Sequence, residues 1–233
     1  GIGLDYAEFL AERNWNLVLT ARRRDRLEDA ANRIHTTHGV TCTVIPADLS
    51  DRNAPVQLVD ELNGLGIEVD ALINNAGYFY EPLETITSMN FDEELKMIDI
   101  CAVGPLRVSS MMFNAGKIKA PGGKIAMITS QGGSVAWRVV QNPTGHDYGH
   151  HMSKSAANMG GVLLAQELAP KGICVQMLHP GFNKTGMTKK YEKIWEVEGA
   201  VDASMGAKRV LHEVKLMAPE YNGLFINCED GLQ

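Results

Sequence analysis

Cysteine is scarce: Cys42, Cys101, Cys174 and Cys228 lie far apart in a chain of 233 residues. No C-x-x-C pair occurs, which excludes the usual zinc and redox spacings and points to buried free thiols in a reducing compartment. No apolar run approaches the ~18 residues that a membrane span needs. Positive charge is also short, with 22 Lys and Arg against 28 Asp and Glu and a net charge of −6. Binding nucleic acid requires a basic surface to neutralise phosphates, so that partner is not expected. Internal repeats, low-complexity tracts and linkers are missing as well, which leaves one domain over 1–233. The rest is ordinary: 45% hydrophobic and 21% charged residues, enough for a buried core.

Periodicity places the elements. Leu4, Ala7, Leu10 and Ala11 share a helical face directly after Gly1-Ile2-Gly3. Asn16 to Thr20 is a short strand, and a charged helix follows from about Arg24 to His38, stopped by Gly39. Val40 to Pro46 and Val69 to Ile73 read as strands, with a helix from Ala54 to Leu65 between them. Phe91, Leu95, Ile98 and Ala102 repeat at helical spacing, which predicts one long helix from Ser88 to Met112. Lys124 to Ile128 is a strand running into Thr129-Ser130, then a long loop, then a helix from near Asp147 to Ala169. Ile173 to Leu178 is a strand, 182–199 a loop with a short helix, Ala203 to Met217 a helix and Gly223 to Cys228 a last strand. Strands alternating with helices predict an α/β fold, a doubly wound parallel sheet of the Rossmann type in a single domain. That fold expects a first strand and the start of its glycine turn ahead of Gly1, and the end at Gln233 also looks clipped.

Several motifs fall at strand ends, where such folds bind ligands. Gly1-Ile2-Gly3 before a helix suits a pyrophosphate, because glycines let it approach the backbone N–H groups. Arg22, just past the second strand, stands where an acid would bind the ribose hydroxyls of NAD. An arginine there can pair with the 2′-phosphate of NADP, or belong with Arg23, Arg24 and Arg26 to a solvated helix start. The hydroxyl of Ser130 and the ammonium of Lys154 can converge on one ligand. His146 with His150, and Asp147 with His151, have the i, i+4 spacing of metal ligands. No third and fourth ligand announces itself, so no metal is expected, and exposed histidines at a helix start are the simpler reading.

Taken together, Asn74-Asn75-Ala76-Gly77 after a strand, Ser130, the Tyr148-x-His150-x-x-Ser153-Lys154 spacing and Pro180-Gly181-Phe182-Asn183-Lys184-Thr185 resemble the short-chain dehydrogenase/reductase family. The long loop after Ser130 and the short 182–199 segment are most similar to its carbonyl-reductase-like branch, related to C-factor and sniffer. The resemblance implies NADP as cofactor, with a small carbonyl compound as possible substrate. It implies that Gly1, Ile2, Gly3, Arg22, Asp48, Asn75, Ala76, Gly77, Lys154, Pro180, Gly181 and Thr185 hold the dinucleotide. In the family a tyrosine protonates the carbonyl oxygen as hydride arrives, a lysine lowers the tyrosine pKa, a serine orients the carbonyl, and an asparagine supports a water. Ser130 and Lys154 keep two of those places. His150 stands on the tyrosine and Cys101 on the asparagine, which implies impaired or lost catalysis, or a histidine acting as substitute acid. The long helix and the helix after Lys154 are the ones this family pairs between subunits. A homo-oligomer or a subunit of a larger assembly is therefore expected, with Met111, Met112 and Met159 as adaptable apolar surface.

Overall fold

The computed structural model describes residues 1–141 and 145–229; Gln233 and the glycine turn before it lie outside them. The chain runs α1 (Ile2–Ala11), β1 (Leu17–Leu19), α2 (Arg24–His38), β2 (Cys42–Val44), α3 (Ala54–Gly64) and β3 (Ala71–Asn74). It continues through α4 (Phe91–Ile98), α5 (Gly104–Asn114), β4 (Lys124–Ile128), α6 (Val135–Gln141), α7 (Tyr148–Leu168) and β5 (Cys174–His179). Two short strands, β6 (Asn183–Lys184) and β7 (Val201–Asp202), flank a 3-10 helix, Gly186–Ile194, and α8 (Ala203–Leu216) and β8 (Phe225–Asn227) follow.

Successive strand side chains point to opposite faces, and the central strands are apolar on both. Ile125 and Met127 of β4 with Val175 and Met177 of β5 pack on one side with Leu58, Val108 and Ala165 from α3, α5 and α7. Ala126, Cys174 and Leu178 point the other way, against Tyr6 of α1 and Ala207, Val210 and Val214 of α8. This is the doubly wound arrangement, with helices covering both faces of one parallel sheet. β3, β4, β5 and β8 pair in that order, all parallel, and β1 pairs in parallel with β2. Between β1 and β3 no ladder forms among the described residues, and a cavity of about 3360 Å³ is lined by both strands.

Three details differ from the sequence expectation. The helix predicted over Ser88 to Met112 is interrupted, since Asp99–Val103 forms a π-turn between α4 and α5. The stretch after Ser130 is not all loop: it holds a 3-10 turn, Gln131–Gly133, and α6. Val135, Val139 and Val140 of α6 are each about three-quarters exposed, so no buried stripe marked that helix in the pattern. Finally, Met112 is core and Met111 packs against it, whereas Met159 is exposed. The turn of helix that carries Met111 and Met112 faces the sheet, and only Met159 is surface.

Candidate functional site

Parallel strands of one sheet end at the same edge, and the loops that follow β3, β4 and β5 line the cavity together with the loop after β1. At one end Gly1 precedes α1, and a side chain there would meet no atom within 4 Å. A Cβ on Gly3 would lie 2.8 Å from the Asn75 amide, so the glycine lets the turn pass close to the loop after β3. The open backbone before a helix N-terminus suits a pyrophosphate. Arg22 is exposed beyond β1, and its charge helps to lower the Asp48 pKa. The larger cause is the Ser50 backbone N–H, which donates to the Asp48 carboxylate at 3.0 Å, and the Ser50 hydroxyl adds a second bond at 2.8 Å. Asp48 is thus an ionised acceptor facing Arg22 across the rim.

Asn74 is buried, and its amide donates to Ser109 Oγ at 3.0 Å. That bond holds the loop after β3, so that Asn75, Ala76 and Gly77 line the cavity. From the far side, Pro180, Gly181 and Thr185 line it as well. Gly181 has φ +88, a conformation that favours glycine. The buried Asn183 amide donates to the carbonyls of Pro180 and Gly181, at 3.2 and 2.8 Å, and locks this turn. Thr185 starts the 3-10 helix with a reciprocal cap to Thr188.

At the other end stand Ser130, His150 and Lys154, which all line the same cavity. The Ser130 hydroxyl oxygen accepts from Gly132 N at 3.0 Å, which leaves its proton free to donate to a carbonyl. Lys154 Nζ donates to the Ile128 carbonyl at 3.2 Å, and burial pushes its pKa below the ordinary lysine value. The His150 ring lies 4.5 Å from that of Phe79. Burial drives the His150 pKa well below that of a free imidazole, and the charges of Lys154 and His151 add to it. Neutral imidazole is therefore the form at neutral pH. Cys101 sits in the π-turn, and its thiol is turned into the loop after β3: Sγ accepts from Tyr78 N at 3.2 Å and donates to Tyr78 O at 3.3 Å. The structure thus gathers the predicted residues around one cleft, with Cys101 engaged behind it.

The histidines at the start of α7 are half-buried, not exposed as expected. His146 Nδ1 lies 2.9 Å from the Asp147 carboxylate, and His151 Nδ1 lies 3.0 Å from the Gly132 carbonyl. No group of three or more His, Cys, Asp or Glu among the described residues could hold a metal ion. One group went unnoticed in the sequence. His179, the last residue of β5, is 6% exposed, and neither ring nitrogen has a hydrogen-bond partner among the described residues. Burial, then the charge of Lys154, pushes its pKa down to about 4. A histidine ending a strand that is apolar but for Gln176 was the available signal.

The short chain dehydrogenase family matches over residues 1–194, and the chain belongs to that family. Among its relatives is a 1-hydroxy-2-glutathionyl-2-methyl-3-butene dehydrogenase of Rhodococcus sp. (strain AD45), 28% identical over 78% of this chain and 76% of that protein. C-signal of Myxococcus xanthus is 31% identical over 69% of this chain and 89% of its own. Inactive hydroxysteroid dehydrogenase-like protein 1 of Homo sapiens is 32% identical over 81% of this chain, which spans 54% of the human protein. In fold the chain is similar to the carbonyl reductase Sniffer of D. melanogaster, with a TM-score of 0.78 at 24% identity over 98% of this chain and 93% of the other. No helix among the described residues is long and apolar enough to cross a membrane.

Proposed function

We propose that this chain binds NADP(H) in the cleft and that its carbonyl reduction is impaired or lost, so that it serves as a binding or assembly subunit. What supports this is His150: by the family resemblance it stands on the tyrosine, burial and then Lys154 keep it neutral, and neutral imidazole is a poor acid. Cys101 compounds the change, because its thiol is spent on the Tyr78 backbone. Bound nicotinamide would supply hydride at this end of the cleft. Lys154 would hold the ribose beside it, Ser130 would donate to a carbonyl oxygen, and His150 would have no proton to give. Exposed Arg22 favours the 2′-phosphate of NADP, and the likeness to a human relative named as inactive is consistent with lost chemistry. Exposed Phe91 and Leu95 of α4, with Met159 and Leu163 of α7, supply the apolar surface that an oligomer or assembly would cover.

The competing reading is an active NADPH-dependent carbonyl or alcohol oxidoreductase with His150 as acid, favoured by the intact placement of Ser130 and Lys154. Fluorescence titration with NADPH and NADH, followed by turnover with small aldehydes, diketones and quinones, separates the two. Tighter NADPH binding with little turnover is expected, and Arg22→Asp should reverse the preference by roughly tenfold or more. Equal affinities would remove the argument from Arg22, and binding of neither nucleotide would end the dinucleotide reading.

A further inference from the structure

Asp147 is 1% exposed and enters α7 with φ +53, an uncommon conformation for a residue that is not glycine. Its side chain does not cap the helix it precedes. The carboxylate instead accepts from Lys190 Nζ at 2.8 Å and from the Tyr191 hydroxyl, and it meets His146 Nδ1. Lys190 makes a second bond to the Tyr80 carbonyl at 2.9 Å, and its ammonium lies 3.7 Å from the centre of the Phe79 ring, which packs at a tilt against His150. Met187 of the same 3-10 helix lies against Gly77. This helix, Gly186–Ile194, contains no fully buried residue, so apolar packing alone gives it little anchorage. One nearly buried ion pair therefore joins three segments: the loop after β3, the start of α7 and the helix after Thr185.

We propose that Asp147 is a positioning residue, which through Lys190 and Tyr191 holds the 186–194 helix closed over the His150 end of the cleft. The inference rests on that cleft being the site, although the closure itself needs no ligand. A charge-assisted pair shielded from water is stronger than an exposed one, and removing one partner leaves the other charge uncompensated. The cover should therefore open when either partner is neutralised. His150 reports the result, because the charged groups that act on it are Lys154, His151, Asp147 and Lys190. If the cover stays closed, losing the Asp147 anion leaves Lys190 unopposed, and imidazole becomes harder to protonate. If the cover opens, water reaches the ring and its pKa rises towards the free value. The two outcomes have opposite signs.

The experiment is hydrogen exchange and NMR titration of the histidines in the unliganded chain, in Asp147→Asn and in Lys190→Met. Asparagine tolerates the left-handed conformation, and methionine keeps the stem over Phe79. Exchange at 186–194 should rise about tenfold or more in each variant and no further when they are combined, and the His150 pKa in Asp147→Asn should move up. Unchanged exchange at 186–194, or a His150 pKa that falls in Asp147→Asn, would overturn the proposal. Should Asp147→Asn fail to fold, Lys190→Met decides on exchange alone. NADPH titration of the wild type tests the site separately: failure there removes the dinucleotide reading and leaves the exchange result standing.

Discussion

At the cofactor end of the cleft, Gly1 and Arg22 are exposed, and Asp48 is held ionised by hydrogen bonds from Ser50. At the reaction end, His150, Lys154 and His179 are bases that burial pushes towards their neutral forms. The first end keeps the backbone openings and charges that a dinucleotide needs. The second keeps a hydroxyl and an amine but has a histidine where a phenol would stand and a cysteine where an amide would. A phenol is a competent acid while neutral, whereas an imidazole held neutral is not. On the proposed function, these two positions would separate binding from chemistry.

The largest effect expected from this contrast is on turnover. If the scaffold still presents nicotinamide, Ser130 and Lys154 together, His150→Tyr with Cys101→Asn should raise carbonyl reduction by NADPH by roughly 10²–10⁴, the usual worth of a general acid. Steady-state kinetics with small aldehydes or diketones would show it. The contrast breaks if wild-type turnover is robust and drops on His150→Tyr, since histidine would then be a working acid. With NADPH still bound and no gain in the double variant, the loss would extend to the substrate pocket.

A smaller effect separates the ends by acid sensitivity. His179 has its pKa depressed from 6.5 to about 4, so its contribution to stability is present above pH 6.5 and lost as pH falls to about 4. The loss amounts to about 3 kcal/mol, and His150 adds to it with the same sign. Urea unfolding at several pH values should show His179→Leu with a shallower acid limb than the wild type. Parallel limbs would mean that the ring is not held neutral.

The smallest effect concerns two carboxyls of opposite sign. Glu94 is buried beside Glu84 beneath the start of α7, and burial, then the Glu84 charge, raises its pKa. A raised acid costs stability above its folded pKa, so Glu94→Gln should stabilise at neutral pH, with the gain fading in acid as the wild type takes up its proton. At the cofactor end Asp48 is lowered, so Asp48→Asn should destabilise at neutral pH, and the difference should vanish in acid. Thermal melts at pH 7 and about pH 2, below the ordinary carboxyl range, compare them, and changes of the same sign in both at pH 7 would contradict the division.

Much of this molecule was legible from the chain alone, because the signals concerned are local. Two-sided apolar runs such as Lys124 to Ile128 mark central parallel strands, and Gly39, with φ +74, ends α2 where a left-handed residue is required. Asn75 to Gly77, Ser130 and Pro180-Gly181 each follow a strand end, so the alternation that predicts the sheet also predicts one edge for them all. The tertiary structure decided what has no local signature. Asp147 meets a lysine 43 positions away. Cys101 bonds the backbone of Tyr78, 23 positions away, across a π-turn that helical periodicity does not reveal. His179 differs from a surface histidine only in the apolar layers that close over it. Element type follows from periodicity within about a dozen residues, whereas ion pairing and desolvation depend on which distant segments the sheet brings together.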